Sequence, residues 1–117
     1  MRVLVCGSRN WVDQKTIETY IAGLPKDSVI IEGGCQGADW MARDAAEQCG
    51  LRVEHYPADW HKYGKSAGVI RNQKMLKDAH PDTVVAFCAD LTQSRGTQDM
   101  VNRARQAGIP VQIIQGK

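Results

Sequence analysis

The residues able to do chemistry in this chain are gathered in a few loops. "GGCQGAD" (33–39) stops an apolar run and opens a helix-period segment, and "SRGT" (94–97) repeats the arrangement later. Glycines ahead of a helix N-terminus let backbone N–H groups and the helix dipole approach an anion, usually a phosphate. The same Gly33, Gly34 and Gly37 would also serve a tight strand-to-helix turn. Arg9 in "GSRNW", Arg71 and Arg95 are expected at one rim, and converging guanidiniums suit a phosphorylated ligand; the alternative for Arg71 is a surface salt bridge. Asn72 falls inside an apolar helical stripe with Gly68, Val69, Met75, Leu76 and Ala79, so its amide either ties a loop backbone together or touches ligand. Trp11, Trp40 and Trp60 cluster near the same edge, each either packing or stacking on a base or ribose face. Glu32, ending the second apolar run, is placed to bind ribose hydroxyls.

Other chemistries are disfavoured. "DWHKYGKS" ends like a phosphate-binding P-loop, but Asp59 stands where the first glycine is required, and "CGSRNW" offers only Gly7 where a dehydrogenase fingerprint needs three glycines. Cys6, Cys35, Cys49 and Cys88 are scattered with no C-x-x-C pair, so no metal is expected and the thiols are read as reduced, in a cytoplasmic protein. A net charge of +2 is far from that of a dedicated duplex-DNA binder, so any cationic site must be local. The apolar start "MRVLVCGSR" is too short for a signal segment and no run approaches ~18 apolar residues, so a soluble protein that is neither exported nor membrane-bound is expected.

The elements that must hold these loops alternate. "RVLVC", "SVIIE", "LRVEHY", "TVVAF" and "PVQII" read as strands, separated by helix-period segments at 13–23, 38–49, 66–79 and 97–107. Repeated βα units imply a parallel sheet covered by helices, an α/β fold in one Rossmann-like three-layer αβα domain over residues 1–117. Residues 3–6, 29–31 and 84–87 are continuously apolar, as strands buried on both faces must be, whereas the third run alternates and Gln112 interrupts the fifth. The expected order of the five strands is therefore 3-2-1-4-5. The unusual loops then all lie at the carboxyl ends of the strands, where open sheets of this kind bind ligands.

"GSRNW", "EGGCQGADWMA", the Trp60–Gly68 segment, "AGVIRNQKM" and "SRGTQDM" resemble the YspA-like domain, a branch of the SLOG superfamily of Rossmann-like proteins, over nearly the whole chain. The superfamily also contains the lysine-decarboxylase-like phosphoribohydrolases and the Smf DNA-processing proteins. The resemblance implies a nucleotide-derived, phosphorylated ligand of the ADP-ribose, NAD-derived or nucleoside phosphate kind, bound by a sensor or sequestering module with no cofactor. It makes Gly33, Gly34, Gly37 and Asp39 ligand-loop positions and matches Arg71 to the arginine that the hydrolases use near the glycosidic bond; together with the residue readings above, the expected ligand-binding set is Gly7, Ser8, Arg9, Trp11, Gly33, Gly34, Gly37, Asp39, Trp60, Gly68, Arg71, Asn72, Ser94, Arg95, Gly96 and Thr97. "RGTQDM" departs from the hydrolase motif G-G-x-G-T-x-x-E: Ser94 and Arg95 replace glycines, and Met100 stands where the catalytic Glu belongs. Hydrolysis of an N-glycosidic or phosphoribosyl bond is therefore the second expectation, with Arg71 and a relocated carboxylate at Asp39, Asp59 or Asp99, and single-stranded nucleic-acid binding is the third. Relatives that are commonly dimers, together with Tyr56, Trp60 and Tyr63 near an edge strand, suggest a homodimer.

Overall fold

The structure, a computed structural model, describes residues 1–115. Five strands, β1 (Arg2–Gly7), β2 (Val29–Glu32), β3 (Arg52–His55), β4 (Thr83–Phe87) and β5 (Val111–Ile114), form one parallel sheet in the order β3-β2-β1-β4-β5. In the register Leu4 lies between Ile31 and Val84. The order follows from burial: β1, β2 and β4 have both faces covered, while β3 and β5 close the edges and keep Arg52 and Gln112 exposed.

Alternate residues of the central strands feed two cores. Val3, Val5, Ile30, Val85 and Phe87 pack under α1 (Gln14–Ala22) and α2 (Ala38–Gln48) with Ile17, Ile21, Ala42 and Ala45. On the other face Leu4, Cys6, Ile31, Val84 and Ala86 meet Met75 and Ala79 of α4 (Ala67–Ala79) and Met100, Val101 and Ala104 of α5 (Arg95–Gln106). Each large apolar side chain so buried stabilises by about 1.5–3 kcal/mol, so the apolar periods largely determine which helix face turns inward. Val69 is an exception to the expected stripe, being 42% exposed on α4.

The long third loop holds a one-turn helix that its sequence did not announce, α3 (Trp60–Tyr63), capped by Asp59 Oδ1 accepting from Lys62 N at 3.0 Å. A 3₁₀ turn, Gly64–Ser66, joins it to α4, and another, Leu91–Gln93, precedes α5, which begins two residues before the expected 97. Among the described residues no helix is long and apolar enough to cross a membrane.

Candidate functional site

The glycines at the carboxyl edge make room for this chain's own groups. A Cβ on Gly33 would lie in the Arg71 guanidinium, 2.6 Å from Cζ, and one on Gly34 would collide with the His55 imidazole. Gly37, at φ 77°, lets the Ser8 and Arg9 carbonyls rest on the start of α2, where Ala38 N donates to Ser8 O at 3.3 Å. Gly7 is packed against Phe87 O and the Ala38 methyl. The β1 loop, the glycine loop and α4 are thereby held in mutual contact.

The N–H groups of this loop are also engaged from within, which corrects the expectation that they point at an external anion. Gly33 N and Cys35 N both donate to Asp39 Oδ2 at 3.2 Å, and Gly34 N donates to Glu32. Glu32 is wholly buried and its other oxygen lies 2.6 Å from His55 Nδ1, so it organises the loop from below instead of reaching ribose hydroxyls. Asp39, 5% exposed, has its pKa pushed up to about 7, first by burial and then by the neighbouring Glu32 charge, against the lowering effect of the two N–H donors and Arg71. Trp40 closes the loop by donating from Nε1 to Gly34 O at 2.8 Å.

Arg71 is the hub. Its Nη1 donates to Gly33 O at 2.7 Å, its Nε to Asn72 Oδ1 at 2.9 Å, and its Nη2 lies 3.7 Å from Cys35 Sγ. No carboxylate pairs with it among the described residues, so its charge faces the cleft with only hydrogen-bonded, neutral partners. Asn72, 3% exposed, ties α4 to the start of α5 by donating from Nδ2 to Gly96 O at 3.1 Å and to Asp99 Oδ2 at 3.0 Å. Asp99 also accepts from Arg103 Nε at 2.9 Å. Asn72, inside the expected apolar stripe, and Arg71 next to it therefore join neighbouring elements at the site.

Above Arg71 opens a cleft of about 540 Å³ between Arg9, the 33–36 loop, Pro57, Ala58 and Trp60. Trp60 is 52% exposed, with the edge of its ring beside Gly68 of α4. A recess of about 70 Å³ sharing Arg9, Cys35 and Arg71 is lined by Gly7, Asp39, Asn72, Gly96 and Thr97. A further cavity of about 680 Å³ shares Pro57, Ala58 and Arg71 with the cleft.

The structure thus gathers Gly7, Arg9, Gly33, Gly34, Asp39, Trp60, Arg71, Asn72, Gly96 and Thr97 around one opening. Ser8 and Trp11 line a separate crevice of about 270 Å³ between the β1 and β4 loops. Trp11 is buried, edge-on to Phe87 at 5.6 Å, with Nε1 donating to Asp13 O at 2.8 Å. Arg95 is exposed and lines none of these cavities, so two of the three arginines converge. Ser94 bonds Thr97 at 2.6 Å between hydroxyls, Asp59 is a helix cap, and Met100 is wholly buried in the core. Cys35, Gln36, Pro57 and Ala58 line the cleft without having been expected as ligand residues; for Cys35 and Gln36 the only signal was their place in the glycine loop, and for Pro57 and Ala58 their place directly after β3. No group of three or more His, Cys, Asp or Glu among the described residues is placed to hold a metal ion.

Comparison with known proteins agrees with this architecture. The model of the family described as "YspA, cpYpsA-related SLOG family" matches residues 1–63, which carry β1 to β3 and the glycine loop. The Gene 61 protein of Mycobacterium phage D29 is 38% identical over 119 residues, covering 94% of this chain and 93% of that protein. Among solved structures, DNA processing protein A (DprA) from Streptococcus pneumoniae superposes with a TM-score of 0.79 at 21% identity. That likeness covers 99% of this chain and half of DprA, and it concerns the fold.

Proposed function

Because the chain belongs to the YspA, cpYpsA-related SLOG family, we propose that it works as one nucleotide-binding unit that takes a phosphorylated nucleoside, of the ADP-ribose, NAD-derived or nucleoside phosphate kind, into the cleft above Arg71. The observation that carries this is the presence of cations and an aromatic ring in the lining of one cavity: Arg71, Arg9 and Trp60 all border the same space of about 540 Å³. Guanidiniums without carboxylate partners favour a phosphate, and a half-exposed indole favours a base or ribose face. The amides of Gly33, Gly34 and Cys35 do not take part, because Asp39 and Glu32 already hold them.

A binding role, as sensor or sequestering module, has more support than N-glycoside hydrolysis. The motif position of the catalytic carboxylate is Met100, inside the core, and neighbouring Asp99 is held by Asn72 and Arg103. Single-stranded nucleic acid is the second reading, favoured by one observation: Arg95, Gln98, Asn102 and Arg105 are all exposed at helical spacing on α5. The fold shared with a DNA processing protein fits that reading equally. An intracellular, cytoplasmic setting suits the four free cysteines.

The test is a thermal-shift screen of AMP, ADP-ribose and related nucleotides, since ligand at 100 times its dissociation constant adds about 2.7 kcal/mol of stability. At least one should raise the melting temperature of the wild-type protein and not that of Arg9→Ala, whose exposed side chain makes no hydrogen bond or ion pair among the described residues. If no nucleotide acts while oligo-dT binds with a steep salt dependence, the nucleic-acid reading replaces this one.

A further inference from the structure

We propose that the ligand is a dinucleotide, with one nucleoside in the cleft beside Trp60, its linking phosphate at Arg71, and its second nucleoside in the adjoining cavity of about 680 Å³. The proposal rests on the nucleotide reading above and extends it to the half of the site that reading leaves unused.

Three features of the second cavity carry it. The first is adjacency, because the two cavities share Pro57, Ala58 and Arg71, so that Arg71 borders both. The second is size: ligand pockets generally run from about 300 to 1,000 Å³, so each cavity alone accommodates a nucleoside and a single mononucleotide leaves one of them unfilled. The third is chemistry. Lys62 and Lys74 line the second cavity with Arg71, and Lys74 follows Arg71 by one helical turn on α4. Neither lysine makes an ion pair among the described residues; the Lys62 ammonium lies 5.1 Å over the Tyr63 ring. One carboxylate, Asp59, also lines this cavity, and its Oδ1 accepts from Lys62 N at the start of α3. Two ammonium groups beyond the shared arginine suit further phosphate oxygens, and the partly exposed Tyr63 beside Ile70 offers a ring-sized apolar wall for a second base.

Such a ligand is joined either through a 5′–5′ pyrophosphate or through a 3′–5′ phosphodiester, and binding distinguishes them. Calorimetric titration of the wild-type chain with AMP, NAD and the dinucleotide pApA should give at least one dinucleotide a tenfold or greater advantage over AMP. Lys74→Ala, and separately Tyr63→Ala, should bring the ratio of the two affinities toward one. Both side chains are exposed or partly exposed, so the fold should survive their truncation, with circular dichroism as the check. AMP binding with no advantage for either dinucleotide, or an advantage that neither substitution reduces, overturns the second lobe alone. Absence of binding by all three overturns the nucleotide reading and the dinucleotide with it.

Discussion

Replacing Asp39 by asparagine gives a stability change whose size and pH dependence are set by the buried carboxyl. Asp39 has its pKa raised from 3.8 to about 7, chiefly by burial. A carboxyl whose folded pKa lies above its unfolded one binds its proton more tightly in the folded state. Folding is therefore favoured at low pH and loses stability as pH rises through the interval between the two values, after which the cost is constant. By that linkage the ionised group costs more at pH 8 than at pH 5, by on the order of 3 kcal/mol. The amide introduced by Asp39→Asn would keep a carbonyl oxygen for the Gly33 and Cys35 N–H groups but carry no charge to desolvate. For a chain of this length 1 kcal/mol moves the midpoint by about 4 °C, so Asp39→Asn should melt above wild type by an amount about 10 °C larger at pH 8 than at pH 5. Differential scanning calorimetry of both proteins at the two pH values is the assay. A gain that does not grow with pH, or a variant less stable than wild type at pH 8, would refute the assignment of Asp39 as a buried, charge-intolerant loop anchor.

Met100→Glu recreates the hydrolase motif in sequence, but Met100 is wholly buried, so chemical denaturation should show a loss of about 3–5 kcal/mol and no gain of base release from AMP. Gly33→Ala should displace the Arg71 guanidinium from Gly33 O, measured as weakened nucleotide binding with a melting temperature lowered by several degrees. The partly exposed Trp60 and Tyr63 near edge strand β3 should support a homodimer, and a monomer mass by light scattering at working concentration would exclude it.

The sheet was largely legible because a strand covered on both faces has to be apolar at every position, and residues 3–6, 29–31 and 84–87 are. The alternating third run and the fifth run, interrupted by Gln112, were then read as edges, which is how the order 3-2-1-4-5 could be read without coordinates. The region of the site was legible for a related reason, since every unusual loop follows a strand. What fills the glycines was not. A missing side chain announces a close approach without naming the atom, and the partner of Gly33 is Arg71, 38 residues on. Glu32 misled because a carboxylate at a strand end has the same letter whether it faces ligand or is buried against His55. Arg95 misled through helix phase: α5 begins at that residue, and its side chain is exposed away from the cavities that Gly96 and Thr97 line.

The claim that a phosphate is held over Arg71 and Arg9 is tested most directly by calorimetric comparison of AMP with adenosine, on wild type and on Arg9→Ala. A charge-assisted hydrogen bond contributes about 1.5–3 kcal/mol, so the wild-type chain should prefer AMP by about 10- to 100-fold. Arg9→Ala should lose most of that preference while its affinity for adenosine stays the same. Equal affinity of the wild-type chain for adenosine and AMP, or a preference that Arg9→Ala leaves intact, would contradict it.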